Sequence, residues 1–143
     1  MAKTTKELEN KIEKAKSWDD MQKVLQELPR TTLASRVQEL CDKHNVTFRA
    51  LSGLALVPES TFYAIMCGAR SPKKNQIIQI AFALGVSLEE LNELLKLAGL
   101  KELYAKNMDD AIIIYGIKNG LDLGKIDVLL EEKRCAMRFV EFR

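Results

Sequence analysis

The chain reads as an all-α protein. Its 143 residues include only 7 glycines and 3 prolines, and it has few of the alternating valine- or threonine-rich runs that mark strands. Apolar residues instead recur at helical spacing between recognisable start and stop signals. That length suits one compact unit with extensions and is too short for a large two-lobed enzyme.

The elements follow in order. Lys6 to Lys16 is a charged helical stretch with little apolar stripe. Ser17 is a suitable N-cap for a helix from Trp18 to Leu28, in which Met21, Leu25 and Leu28 recur at helical spacing and which Pro29 stops. Thr31 or Thr32 caps the next helix. Its Leu33, Val37, Leu40, Cys41 and His44 share one face, which should be core. Thr47 precedes a short helix to about Ala55, and Pro58 is placed to be the first residue of another, since its fixed φ and missing N–H cost nothing there. Gly68 ends that one. Lys73 or Lys74 opens a helix through Leu84, with Ile77, Ile80, Ala81 and Leu84 inward and Gly85 as its stop. Ser87 caps a helix whose first-turn Glu89 and Glu90 complement the helix dipole, and whose buried stripe is Leu88, Leu91, Leu94 and Leu95.

Further on, Ile112 to Ile114 could pass for a buried strand, but Asp109 and Asp110 ahead of them and Lys118-Asn119-Gly120 behind are helix start and stop signals. With Leu121 to Arg134 as a second amphipathic helix, the last forty or so residues form a helical hairpin. The organisation is therefore an N-terminal helical extension (1–30), a central domain (31–98) and a C-terminal hairpin (99–143) expected to serve dimerisation.

Composition narrows the function classes. Apolar residues at 47 % and charged residues at 29 % exclude a disordered polyelectrolyte or a fibrous repeat. No run approaches the roughly 20 apolar residues that span a bilayer, and the polar start of the chain has no apolar signal core. Three widely spread cysteines are an odd number and are expected to pack as reduced, small hydrophobes, which fits a cytoplasmic setting. The formal charge of +2 is small. By segment it is uneven: residues 1–30 hold seven bases and six acids, 31–84 six and three, and 85–143 nine and eleven. The basic part is the middle.

Within that middle, only Leu56 and Val57 separate the helix ending at Ala55 from Pro58. So short a connection forces the two helices to cross steeply and presents the outer face of Pro58 to Cys67 as a ridge narrow enough for a major groove.

Ser35-Arg36-Val37-Gln38-Glu39-Leu40, Val46-Thr47, Leu51, Val57, Ser60-Thr61, Ile65, Gly68, Pro72 and the run Ala83-Leu84-Gly85-Val86-Ser87-Leu88-Glu89-Glu90-Leu91 resemble the lambda-repressor and Cro type of helix-turn-helix domain over residues 33 to about 95. The resemblance implies a five-helix domain that binds double-stranded DNA sequence-specifically as a homodimer, regulating transcription. It implies base-edge contacts from Glu59, Ser60, Tyr63 and Ala64, and phosphate contacts from Arg49, Thr61, Arg70, Lys73 and Lys74. The clustering of Arg70, Lys73 and Lys74 independently supports the phosphate role.

The chain departs from that family's pattern at four places. Phe48 stands where relatives often carry a Gln that orients on phosphate. Leu56 stands where the turn usually has Gly, and a leucine with positive φ costs on the order of 1 kcal/mol. Met66 replaces a common Glu partner of Arg36, so Arg36 must find solvent, another acid or a phosphate. Glu59 can accept from cytosine N4 but repels phosphates. These departures leave a second reading open, in which Phe48, Phe62, Tyr63 and Met66 form the anchor patch of a protein-interaction module such as an antitoxin, immunity protein or co-regulator.

No residue constellation points to an enzyme, a cofactor or a metal. His44 is the sole histidine and suits a helix C-cap, and the cysteines lack ligand spacing. Asp109 and Asp110 point to different helix faces and read as N-terminal helix acids. Gly116, Gly120 and Gly124 recur every four residues, but a helix end at Asn119-Gly120 makes that register accidental. Trp18, Met21, Leu25 and Leu28, together with Phe139, Val140 and Phe142, would leave apolar surface bare on a monomer.

Overall fold

In the computed structural model, which describes residues 5–27 and 31–139, nine helices and no strand occur among the described residues. The chain divides into two compact units, Met1–Thr31 and Thr32–Arg143.

The first unit holds α1 (Thr5–Lys14) and α2 (Trp18–Glu27). Ser17 caps α2 as its sequence position predicts, its hydroxyl accepting from the Asp20 N–H at 3.2 Å. Val24 is buried, Met21 is half-buried, and Ile12, Trp18 and Leu25 stay exposed. Leu28 and Pro29, expected to close the stripe and the helix, lie outside the described residues.

The second unit runs through α3 (Leu33–Lys43), α4 (Phe48–Leu54), α5 (Glu59–Met66), α6 (Lys74–Leu84), α7 (Leu88–Leu97), α8 (Met108–Lys118) and α9 (Leu123–Glu132). Each cap is a local solution to unpaired helix-end amides. Thr32 and Ser35 exchange hydrogen bonds at 3.1 and 2.9 Å to start α3. Ser87 and Glu90 do the same at 3.2 and 3.1 Å for α7. Asn107 and Asp122 cap α8 and α9 through the Asp110 and Lys125 N–H groups. The isoleucine run at 112–114 is helical. Pro58 occupies the N-cap of α5, one place earlier than the first helical residue expected of it, with φ −53° and ψ 139°.

One hydrophobic core serves the whole unit. Val37, Leu40 and Cys41 of α3, Leu51 of α4, Phe62 of α5, Ile77, Ile78 and Ile80 of α6 and Leu91, Leu94 and Leu95 of α7 continue into Leu103, Ile113, Ile126, Leu130 and Phe139. At about 1.5–3 kcal/mol for each large side chain fully buried, this burial is the main stabilising force. Burial also raises the pKa of the Cys41 thiol. Two sequence expectations are corrected. Cys67 is exposed and Cys135 only half-buried, because they fall at a helix end and in a loop and not on an inward face. Phe139 is buried, its backbone N–H donating to the buried Asp127 carboxylate at 2.9 Å. Val140 and Phe142 lie outside the described residues.

The four-residue glycine register is accidental, as the helix end predicts, but one of its members makes a contact the spacing did not show. Gly120 ends α8 with φ 65°, yet Gly116 is a true close contact, since a Cβ there would lie 2.5 Å from Ile126 Cδ1. Ile126 is completely buried, so its side chain has little room to retreat. Gly116→Ala should destabilise the second unit by about 1–3 kcal/mol in urea unfolding. In an Ile126→Ala background the same change should cost less than half as much; equal costs in both backgrounds would disprove the contact.

Candidate nucleic-acid interface

The geometry starts at the α4–α5 turn. Thr47 caps α4 by accepting from the Ala50 N–H at 3.1 Å. Ala55 is its C-cap, and Leu56 follows in the left-handed region with φ 59°, where a glycine would be unstrained. The Leu56 N–H donates to the Gly53 carbonyl at 3.2 Å and the Val57 N–H to the Ser52 carbonyl at 3.0 Å. That pair of bonds reverses the chain at a helix C-terminus. Buried Val57 then fixes the exit, and Pro58 starts α5.

A buried amide braces this turn. Gln79, in the middle of α6, donates from Nε2 to the Ala55 carbonyl at 2.8 Å and stands 3.5 Å from the Leu56 carbonyl. Both residues lie across 23 or 24 positions of sequence from it. Sequence reasoning missed this group. The signal was a lone amide inside Ile77-Ile78-Gln79-Ile80-Ala81, since a polar side chain in a buried run needs a partner.

The inner face of α5 is rooted by Phe62 and Ile65, both buried. Its outer face carries Glu59, Ser60 and Tyr63, all exposed, with Thr61 and Ala64 half-buried at its edges. Tyr63 is 40 % exposed. Phe48 packs on Phe62 and Tyr63, with ring centroids 5.2 and 6.1 Å apart, and Phe62 meets Tyr63 edge-on at 5.5 Å. Phe48 therefore supports Tyr63 by contact instead of reaching a phosphate. The same packing removes most of the apolar anchor patch: Phe62 has no exposed surface, Phe48 and Met66 are half-buried against the core, and Tyr63 alone remains open.

The cations divide into two groups. Arg49, Arg70 and Lys73 are exposed, and among the described residues no carboxylate comes within ion-pair distance of them. Arg70 donates from Nη1 to Thr61 Oγ1 at 3.3 Å, linking the loop to α5. Lys74 is different, because its ammonium is bound to the buried Asp110 carboxylate, whose other oxygen accepts from the Tyr104 N–H at 2.9 Å. Asp110 thus does more than complement a helix dipole; it ties α8 to the first residue of α6. Arg36 finds acids, pairing with Glu39 at 3.0 Å and with Glu93. The Glu93 hydrogen bond is the largest cause of its raised pKa. Nearby Glu90 is held below the usual carboxylate range, first by the Ser87 N–H and then, once its desolvation is offset, by Lys43.

His44 is the C-cap residue of α3, and its Nε2 is buried without a hydrogen-bond partner. Among the described residues no group of three His, Cys, Asp or Glu side chains is placed to hold a metal ion, and no helix is long and apolar enough to cross a membrane. A groove of about 540 Å³ beside the turn is lined chiefly by Leu54, Leu56, Phe82, Ile117 and Leu121, with Asp122 as its one ionisable side chain. It offers no pair of groups for acid–base chemistry. No protein-family model matches the chain, and no match emerges among curated proteins or solved structures.

Two variants test the turn. Gln79→Leu leaves the Ala55 carbonyl without its donor and should lower unfolding stability by about 1–3 kcal/mol; an unchanged urea midpoint would refute the brace. Leu56→Gly should raise stability by up to about 1 kcal/mol, because Leu56 is 58 % exposed and loses little packing when truncated. A drop of that size would mean that the leucine side chain outweighs its backbone strain.

Proposed function

We propose that the chain is a sequence-specific DNA-binding regulator of transcription, of the phage-repressor type, acting as a homodimer. The observation that carries this reading is the outer face of α5. It is a short ridge of Glu59, Ser60 and Tyr63 left uncovered beyond a braced turn, in the same unit as exposed Arg49, Arg70 and Lys73. A helix so presented fits the major groove, with its N-terminal side chains at base edges.

In this reading Ser60 and Tyr63 read bases, Ala64 leaves room for a thymine methyl, and Glu59 accepts from a cytosine amine. Glu59 contributes selectivity at some cost in affinity. Arg49, Arg70 and Lys73 neutralise phosphates, Thr61 orients Arg70, and Lys74 contributes through the position of α6 because Asp110 holds its charge. The resemblance of residues 33–95 to the lambda-repressor and Cro type points the same way. The protein-interaction alternative has less to work with, since its central aromatic, Phe62, is buried.

Selection of bound oligonucleotides from a random pool at low salt tests the proposal. A two-fold symmetric site with half-sites about one helical turn apart is expected, and a flat pool would overturn the reading. On that site, changing Arg70 and Lys73 together to alanine should weaken binding to all sequences alike and reduce the salt slope by about 2 per protomer. Ser60→Ala should instead alter preference at one base pair, by about 1–3 kcal/mol. The reverse pattern would refute the assignments.

A further inference from the structure

Helix α8 has two apolar faces, and the unit's own core uses one. Ile113 and Gly116 are buried against α9 and the core, and Asp110 turns towards Lys74. On the other side Met108, Ala111, Ile112 and Tyr115 follow one another at steps of three, one and three, a single stripe along the helix whose middle is half-buried, Ile112 leaning on the edge of the core, and whose two ends are exposed. Met108 is 58 % exposed and Tyr115 is 55 % exposed. A second apolar stripe on a helix that already packs on a core is normally covered too. The stripe forms one wall of a groove of about 490 Å³, whose other wall is Leu129, Glu132 and Lys133 of the α9 end.

We infer that a second copy of this chain covers the groove, α8 packing antiparallel on α8 across a two-fold axis that passes between Ala111 and Ile112. Three features of the surface favour a self-complementary partner. Met108 and Tyr115 lie at equal distances from that axis along the helix, so each Met108 thioether meets the Tyr115 ring of the other copy, a favourable sulfur–aromatic contact. Ala111 is small at the point of closest approach, which lets the two backbones come together. The rim carries adjacent opposite charges, Glu132 and Lys133, neither in an ion pair among the described residues. An isologous interface places Lys133 of each copy towards Glu132 of the other, whereas a partner of one dominant charge would be repelled by one of the two.

This pairing supplies the second half-site reader that the proposed function needs, and rests on that reading only for its use; the surface itself makes no appeal to DNA. A two-helix face is small for an interface, so the expected dissociation constant is micromolar, on the order of 1–100 µM.

Sedimentation velocity on the full chain, without DNA, from about 1 to 300 µM reads the association across that affinity range. A concentration-dependent dimer is expected. Tyr115→Lys should raise its dissociation constant at least tenfold, while Val128→Lys, on an exposed position of α9 outside the groove, should leave it unchanged. Glu132→Lys and Lys133→Glu should each weaken self-association, and a 1:1 mixture of the two variants should restore the dimer. Ala111→Cys in a background with Cys67 and half-buried Cys135 both changed to serine should cross-link on mild oxidation, which decides the question even if Tyr115→Lys loses helix content by circular dichroism. A chain that stays monomeric throughout, or a dimer indifferent to Tyr115→Lys and to the charge exchange, overturns the inference. A monomer that selects an asymmetric DNA site, or a dimer that selects none, separates its failure from that of the DNA-binding reading.

Discussion

The arrangement of the second unit depends on the reversal between α4 and α5, and that reversal is held by backbone bonds and one buried amide. The chain places a leucine at φ 59°, a conformation that by itself costs on the order of 1 kcal/mol. Two cap bonds, from Leu56 and Val57 back to Gly53 and Ser52, and the Gln79 bond to Ala55 offset the cost. With the turn fixed, Phe62 and Ile65 can only point inward, and the opposite side of α5 can only face solvent. The exposure of Glu59, Ser60 and Tyr63 is a consequence of those few contacts.

Much of this was legible in the sequence, because helix ends are local. Thr32, Thr47 and Ser87 announce their helices within three or four residues of the groups they satisfy, and the inward stripes of α3, α6 and α7 follow from spacing alone. The positive φ of Leu56 was also within reach, through the resemblance, which sets Leu56 where the turn usually carries a glycine. Hidden were contacts whose partners lie far apart along the chain: Gln79 with Ala55, Lys74 with Asp110, Arg36 with Glu93, Gly116 with Ile126. Periodicity assigns a face to each of these residues but says nothing of the element that meets it. Gly116 is the plainest case: the four-residue register with Gly120 and Gly124 is accidental, and the contact of Gly116 is with Ile126, a residue no spacing relates to it.

The departures from the repressor-type pattern look less like damage once their contacts are known. Arg36, without a glutamate at Met66, takes its charge partners from its own helix and from α7, while Met66 packs against the core. Phe48 gives up a polar reach and gains aromatic contact with Phe62 and Tyr63. In each case a polar link across the turn is replaced by packing or by a pair elsewhere. Such exchanges keep the scaffold while changing which side chains remain free for a ligand.

The Lys74–Asp110 pair couples the two surfaces on which the functional reading rests. A buried carboxylate with a single cationic partner tolerates little displacement, since separating them leaves a charge without solvent or counterion. Asp110 belongs to α8, the helix with the half-exposed apolar stripe, and Lys74 is the first residue of α6, directly after exposed Lys73. The Asp110 bond to the Tyr104 N–H fixes the carboxylate from its other side. The half-exposed stripe of α8 and the cationic end of α6 are therefore held in register by that pair and by one shared core. If α8 pairs across a two-fold axis, the distance between two copies of α5 is set by packing, and a rigid distance of that kind is what selects one spacing of half-sites over another.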